Sequence, residues 1–225
     1  MSQYPFAVPF RKLPKTLPVF PLPGAVLMPG NDLPLNIFEP RYLNMVSDAL
    51  GSHRMIGMVQ PLPTADEASP STEGRPEIYR TGTAGRISSF SETKDGRLML
   101  ILTGVCRFQI RQELDLDKDY RIAEVDWRPF SLDYGGDSGS IPDRVALFRS
   151  LRDYCSQNDV EIAWKDAEKL EDRPLIDLLT IHLPLQVQEK QALIESPALS
   201  DRIALLQGLL DMSNAESGGA AGFRH

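Results

Sequence analysis

The hydrophobic periodicity of the chain changes at residues 131–143, and this change limits the folds that the chain can adopt. Before this segment, short apolar runs of strand length lie between turn signals, whereas after it apolar residues recur at every third or fourth position. The segment itself, SLDYGGDSGSIPD, is rich in Gly and Ser, which is typical of a linker. The sequence therefore predicts an α+β chain in which a strand-rich lobe precedes a helical lobe.

About six strands and one inserted helix are predicted in the first lobe. Gly82 and Gly85 lie inside one strand, which indicates a bulge or a close approach of two backbones. Asp95-Gly96 supplies the turn of a hairpin, and Leu98–Leu102 and Val105–Ile110 follow as two separate strands. Short strands with turn signals between them favour a compact barrel or sandwich.

A strand meets a helix within residues 33–46, LPLNIFEPRYLNMV. Apolar residues alternate up to Ile37, as the inward side chains of a strand do, and helical spacing begins a few residues later. Pro40 suits the first turn of a helix, and the charge of Glu39 favourably opposes the positive end of the helix dipole. Since Arg41 can reach Glu39, this junction is predicted to hold a structural ion pair rather than a ligand.

The segment before this junction is densely apolar, yet six prolines interrupt it between Pro18 and Pro40. Each proline withholds a backbone donor, so not all of the segment can lie inside a sheet. One interpretation is a partly exposed apolar groove that binds polypeptides, and the other is a core with a rigid turn. If the groove exists, the first residues expected to line it are Leu27, Met28, Phe38 and Tyr42.

Helical spacing returns after the linker, with Pro142 placed to open the first helix. Further helical segments are predicted over Ile162–Leu170 and Leu175–Leu183, and a last one after Ser196-Pro197. Val145 is expected on the buried stripe of the first helix, which it would share with Phe148, Leu151 and Cys155. The terminal segments, 1–13 and 213–225, are predicted to be flexible tails.

Charge and composition limit the partners of the chain. The formal net charge is −7, which disfavours a main partner that is nucleic acid or an anionic membrane, because such binding depends on clustered Lys and Arg. No apolar run reaches the length of about 20 residues that spans a bilayer, and no secretory signal is visible at the N-terminus. The two cysteines are predicted to be buried thiols, so the expected location is the cytoplasm.

One tetrapeptide in the linker, Gly136-Asp137-Ser138-Gly139, matches the sequence around a serine protease nucleophile. A nucleophilic Ser138 would need a base, and the chain offers His53, His182 and His225. His53 lies in a turn, His182 lies at the end of an apolar helix and His225 is the last residue, so no catalytic role is predicted. No phosphate-binding loop and no metal-ligand spacing occurs, so no cofactor or metal is expected.

Four motifs, taken together, resemble the N-terminal, substrate-binding domain of the Lon ATP-dependent protease family. They are the proline-rich start LPVFPL with VLMPG, the junction LNIFEPRY, the run GTAGRI with DGR and LTGVCRF, and the tail LPL with KQALIE and DRI. In order, they cover residues 14–212. The junction is also similar to that of small stand-alone members and of the Lon-like domain of cereblon.

This resemblance implies a PUA-like, mostly antiparallel β-barrel lobe over 14–130 and an α-helical lobe over 141–212. It also implies a non-catalytic module that binds unfolded or partner polypeptides, including a protease or chaperone, as an adaptor or regulator in protein quality control. Neither the ATPase nor the peptidase domain of the protease is recognisable, so neither activity is expected. An RNA-binding PUA-like module and a peptidase that uses Ser138 remain as alternatives. The oligomeric state is left open.

Overall fold

The computed structural model of the protein describes residues 8–63, 75–135 and 139–221. The chain divides into two compact units, Met1–Gly136 and Asp137–His225. The described residues of the first unit form six strands and one α-helix, which begin and end as follows: β1 Thr16–Pro21, β2 Asp32–Ile37, α1 Pro40–Leu50, β3 Met55–Val59, β4 Thr81–Glu92, β5 Leu98–Leu114 and β6 Arg121–Asp126. The predicted combination of strands with one inserted helix is confirmed.

The six strands form one sheet in the order β2-β5-β4-β3-β1-β6, and an additional pairing between β5 and β6 closes it. Strand β5 makes this closure possible because its first half pairs with β2 and its second half pairs with β6. The pair β1–β3 is parallel, and the other ladders are antiparallel. The predicted mostly antiparallel barrel is therefore present.

The prediction of two separate strands after the hairpin turn is wrong, because β5 runs without interruption through 17 residues. The sequence predicts two strands here, Leu98–Leu102 and Val105–Ile110, and Gly104 lies between them, a residue type that weakens the interior of a strand. Here the glycine serves a close approach of two backbones, since a Cβ atom at this position would lie 2.1 Å from the carbonyl oxygen of Met28. Gly104 also donates its N–H to Asn31 O at 2.8 Å and accepts from Gly30 N–H at 2.9 Å.

The predicted irregularity in β4 is confirmed. The register against β5 shifts between Ala84 and Gly85, and again between Ile87 and Ser89. Such bulges bend a strand and increase its twist, which a closed sheet requires. At Gly82 a Cβ atom would lie 2.3 Å from the carbonyl oxygen of Met58, so this glycine also serves close strand packing.

Both faces of the central strands are buried, and the two faces contribute to different clusters. In β3, Met55 and Val59 point into a cluster built around Phe108, and Ile56 and Met58 point into a second cluster. The second cluster is covered by α1, which contributes Tyr42, Met45, Val46 and Ala49. Burial on both faces explains why β3 is apolar throughout and lacks the alternation of a half-exposed strand.

One fully buried ion pair links β5 to the segment that follows β6. The Arg107 guanidinium and the Asp133 carboxylate lie 2.8 Å apart, and both side chains are inaccessible to solvent. Asp133 also accepts the backbone N–H of Arg107 at 2.9 Å, and the guanidinium lies 4.6 Å from the Phe130 ring centroid. These contacts hold the 3-10 segment Arg128–Tyr134 against the sheet.

The second unit consists of helices, which begin and end as follows: α2 Arg144–Gln157, α3 Trp164–Ala167, α4 Asp172–His182, α5 Val187–Glu195 and α6 Leu199–Ala221. Helices α2, α4 and α6 contribute most of the apolar residues of a single core. Helix α3 adds Ala167 to this core, and α5 adds Leu193. A second buried ion pair, between Arg202 of α6 and Asp177 of α4, lies within this unit.

Two details of the first helix differ from the predictions. The helix begins at Arg144, because Asp143 is the N-cap and accepts the N–H of Ala146 at 2.9 Å, so Pro142 lies outside it. Val145 is 71% exposed, and Leu147 takes its expected place in the core. The buried stripe of α2 therefore begins at Leu147, two residues later than the sequence spacing indicates.

Both predicted tails are partly ordered within the described residues. At the N-terminal end, Leu13 is buried, and Val8 O accepts a hydrogen bond from the Tyr134 hydroxyl at 2.7 Å. At the other end, α6 continues past residue 212 to Ala221, and the Asn214 amide donates to Ser150 O of α2 at 3.0 Å. No helix in the described ranges is long and apolar enough to cross a membrane.

Candidate functional site

The junction between β2 and α1 has the predicted geometry. The strand ends at Ile37, Glu39 is the N-cap of α1, and Pro40 opens the helix. The Arg41 side chain pairs with the Glu39 carboxylate at 2.8 Å, and about two thirds or more of each side chain is covered. The Glu39–Arg41 ion pair is therefore present, and its purely structural role stays a prediction.

Replacing Glu39 by Ala should lower the free energy of unfolding by about 0.5–1 kcal/mol, because the pair is partly exposed and a charge at the helix N-terminus is lost with it. Urea unfolding followed by circular dichroism measures the change. Gln at the same position is the matched control, since it keeps the hydrogen bond to Arg41 and should lose less stability. An equal loss in both variants would show that the charge carries the whole effect and the hydrogen bond none, and no loss in either variant would contradict the prediction.

Three of the four predicted groove residues are buried. Leu27, Met28 and Tyr42 lie in the core, and the Tyr42 ring packs at 4.3 Å between centroids against Phe20. Burial raises the pKa of the Tyr42 hydroxyl, and the nearby Arg41 opposes that shift. Because the backbone of Met28 approaches Gly104 so closely, the proline-interrupted segment folds inward here. This part of the predicted groove is therefore corrected to core.

The fourth groove residue, Phe38, is 60% exposed, and two further large apolar side chains are exposed near the same end of the sheet. They are Phe90 of β4 and Met99 of β5, exposed by 52% and 45%. Met99 pairs with Asn36, two residues before Phe38, and with Ser91, the neighbour of Phe90. We call the end of the sheet that carries Phe38, Phe90 and Met99 the hairpin surface; Phe90 lies on the same face of the ladder as Leu100, and Met99 lies on the opposite face.

The turn between β4 and β5 sets this end of the sheet. Gly96 has a positive φ of 76° and donates its N–H to Thr93 O at 3.0 Å. The Arg97 guanidinium lies 5.8 Å from the Phe38 ring centroid, which places the turn beside the end of β2. Phe90 lies on the same face of the sheet as Leu100. Leu100 is buried in the core, whereas Phe90 is exposed.

Phe90 and Met99 are functional candidates that the sequence reading missed. One signal was available for Met99, because Leu98, Leu100 and Leu102 alternate on the inward face and so place Met99 outward. No comparable signal marks Phe90, since its exposure depends on how far β4 projects beyond β3.

A polar depression of about 390 Å³ lies between α1 and the loop before β6. Its central carboxylate, Asp48, accepts hydrogen bonds from Lys118 Nζ at 2.8 Å and from the Tyr120 hydroxyl at 2.6 Å. The hydrogen bond from Lys118 is the largest cause that lowers the pKa of Asp48. Asn44 donates to Asp119 at 2.9 Å on the same rim. These polar side chains form hydrogen bonds with one another, so we interpret them as a structural network that lines the depression.

Ser138, the serine of the alternative peptidase interpretation, lies outside the described residues, as does His225. Burial lowers the pKa of His53, and His182 ends α4. Both cysteines, Cys106 and Cys155, are free and buried as predicted, and burial raises the pKa of each thiol. Among the described residues, no group of three or more His, Cys, Asp or Glu side chains could hold a metal ion.

Comparison with known proteins supports the same fold. The chain is similar to Lon protease 2 of Myxococcus xanthus, with 24% identity over 88% of this chain and 24% of that protein. It is similar to the Lon protease of Flavobacterium johnsoniae, with 27% identity over 85% of this chain and 23% of that protein. The chain thus spans about a quarter of the length of these relatives.

Solved structures show the likeness in three dimensions. A Lon N-terminal domain protein from Xanthomonas campestris has 26% identity and a TM-score of 0.61, over 86% of this chain and 97% of that one. The N-terminal domain of the Mycobacterium avium complex Lon protease has 14% identity and a TM-score of 0.58, over 88% and 98%, a likeness of fold alone. The family model of the ATP-dependent protease La (LON) substrate-binding domain matches residues 16–212. The chain belongs to this family.

Proposed function

We propose that the chain binds exposed apolar segments of polypeptides through the hairpin surface. The observation that carries this proposal is the exposure of Phe38, Phe90 and Met99 at one end of the sheet, in a chain of the LON substrate-binding family. Large apolar side chains that remain accessible at one end of a sheet can mark a surface at which proteins associate. Unfolded chains offer such side chains, whereas folded proteins bury most of theirs.

The finer features of this function are also proposals. We expect the module to act without catalysing a reaction, as an adaptor or regulator in protein quality control that works with a protease or chaperone. The family description, substrate-binding domain, supports recognition as its task. Two free, buried thiols suit a reducing compartment and support action in the cytoplasm.

Binding of a permanently unfolded chain tests the proposal. Fluorescence anisotropy with labelled, reduced and carboxymethylated α-lactalbumin should give saturable binding. The double variant Phe38→Ser/Phe90→Ser should weaken it by about tenfold, because two partly buried aromatic contacts together contribute about 1.4 kcal/mol or more. Both residues are exposed, so the fold should remain stable.

The matched control is Leu116→Ser/Val145→Ser, which removes two exposed apolar side chains that do not belong to the hairpin surface. Its affinity should stay within twofold of the unaltered protein. If the unaltered protein does not bind the unfolded chain, or if both double variants lose affinity equally, the proposed function is wrong.

A further inference from the structure

The outer half of β4 has a free edge. The ladder between β3 and β4 covers Thr83–Arg86, and the next residue, Ile87, donates its N–H to Arg54 O at 2.8 Å. From residue 88 to 92, β4 pairs only with β5 among the described parts of the chain. All five of these residues, SSFSE, are exposed. A stretch of strand about 17 Å long is thus open on one side.

The hairpin turn fixes which backbone groups point to this edge. Thr93 N–H donates to Arg97 O at 2.9 Å, so the backbone groups of Thr93 face β5. Residues of an antiparallel ladder alternate between facing the partner strand and facing away. Ser91 and Ser89 therefore face β5, and the N–H and C=O groups of Phe90 and Glu92 point outward. These outward groups have the spacing that a further strand needs.

The other exposed edge of this end of the sheet is blocked. Strand β2 pairs with β5 on one side, in a ladder where Pro34 stands opposite Ile101. The same alternation directs the Pro34 nitrogen to the outer edge, where it has no hydrogen to donate. Proline on an edge is a recognised protection against unwanted strand pairing. The outer edge of β4 contains no proline and no lysine, so it lacks this protection.

We propose that an extended segment of unfolded polypeptide adds to the outer edge of β4 as a further strand, paired with the backbone of Phe90 and Glu92. This inference rests on the proposed function and specifies its binding mode. An extended backbone can form main-chain hydrogen bonds with the outward N–H and C=O groups of a strand edge. Such pairing does not depend on side-chain identity. The Phe90 ring adds a preference for apolar residues in the bound segment.

A folded second copy of this chain fits the edge less well. A stable dimer buries about 1,200–2,000 Å² of surface in total, and five exposed residues at one strand edge supply only a small part of that. An unfolded segment needs no matching surface beyond the strand itself. Its ordering also costs conformational entropy, so weak and broadly tolerant binding is expected.

The variant Glu92→Pro tests this mode, because it removes an outward N–H and leaves the β4–β5 ladder intact, as Pro34 does in β2. Binding of the same labelled unfolded α-lactalbumin should weaken about five- to tenfold, through one lost hydrogen bond and the ring at the edge. Glu92→Ala is the matched control and should bind within twofold of the unaltered protein, since it loses only the side chain.

Amide hydrogen exchange gives a second measurement that needs no variant. In the free protein the amides of Phe90 and Glu92 should exchange quickly, while Ser89 and Ser91 are protected by β5. Saturating unfolded chain should slow the exchange of Phe90 and Glu92 by at least tenfold. If they are already protected in the free protein in a concentration-dependent manner, a second copy occupies the edge and the inference is wrong.

Failure of the inference and failure of the proposed function give different results. Absence of any binding to the unaltered protein contradicts both. Binding that Phe38→Ser/Phe90→Ser weakens, with Glu92→Pro as tight as Glu92→Ala and no slowing at Phe90 or Glu92, contradicts strand addition alone. Binding in that case occurs through side chains, and the proposed function stands.

Discussion

Replacing Asp133 by Ala should lower the free energy of unfolding of the strand-rich unit by about 3–5 kcal/mol, the cost of leaving one charge of a buried pair uncompensated. Asp133 contacts both the guanidinium and the backbone N–H of Arg107, and neither side chain of the pair reaches solvent. The variant removes both contacts at once. Urea unfolding of the full chain, followed by tryptophan fluorescence, reports the change, since Trp127 packs in the same unit.

The matched control is Asp95→Ala, which breaks an Arg–Asp pair of similar length in the exposed hairpin turn. Arg97 and Asp95 lie 2.9 Å apart with more than half of each side chain accessible. Exposed pairs contribute about 0–1 kcal/mol, so a small loss is expected. If Asp95→Ala costs as much as Asp133→Ala, burial is not the cause.

A double replacement separates the charge from the packing. Arg107→Met/Asp133→Leu removes both charges and keeps apolar volume, so it should be more stable than Asp133→Ala alone, because no buried charge has lost its ion-pair partner. If the double variant is the less stable of the two, the ion pair itself is favourable here, and the stated cause of the Asp133→Ala effect is wrong.

Replacing Gly104 by Ala should cost about 3 kcal/mol, at the upper end of what overpacking costs in a close-packed interior. The added Cβ atom would lie 2.1 Å from Met28 O and 2.8 Å from the carbonyl carbon, and both are backbone atoms that cannot move independently. The two hydrogen bonds between this strand and residues 30 and 31 would lengthen as the backbones separate. Urea unfolding measures the loss.

Gly51→Ala is the matched control in the same unit, because its Cβ atom would meet other atoms only at 3.6 Å and beyond, with a φ of −75° that Ala adopts readily. Its stability should change by less than about 1 kcal/mol. A Gly104→Ala protein as stable as Gly51→Ala would mean that the residues around Met28 can move away from β5 at no cost.

Local chemistry explains which features were predictable from sequence. The Glu39–Arg41 pair and the helix start at Pro40 involve residues one or two positions apart, so their geometry follows from the helix N-terminus itself. The hairpin turn at Asp95-Gly96 is likewise local, since it depends on a glycine with positive φ.

Contacts between residues distant in sequence explain the differences. Gly104 lies between two predicted strands, yet the structure places it inside β5. A glycine is needed there because the backbone of Met28, distant in sequence, approaches it closely. Val145 fits a helical stripe by spacing, but the N-cap at Asp143 sets where the helix starts and thereby turns Val145 to solvent. Neither difference could be predicted from the spacing of apolar residues alone.

The candidate site divides in the same way. The succession of a strand-rich and a helical part, the junction ion pair and the family resemblance could be predicted from sequence, because these depend on short-range patterns and residue types. The burial of Leu27, Met28 and Tyr42 and the exposure of Phe38 and Phe90 became apparent from the three-dimensional structure. The physical reason is that exposure depends on which strands pair over which residues, and β4 extends beyond the end of β3 and so leaves its outer edge open.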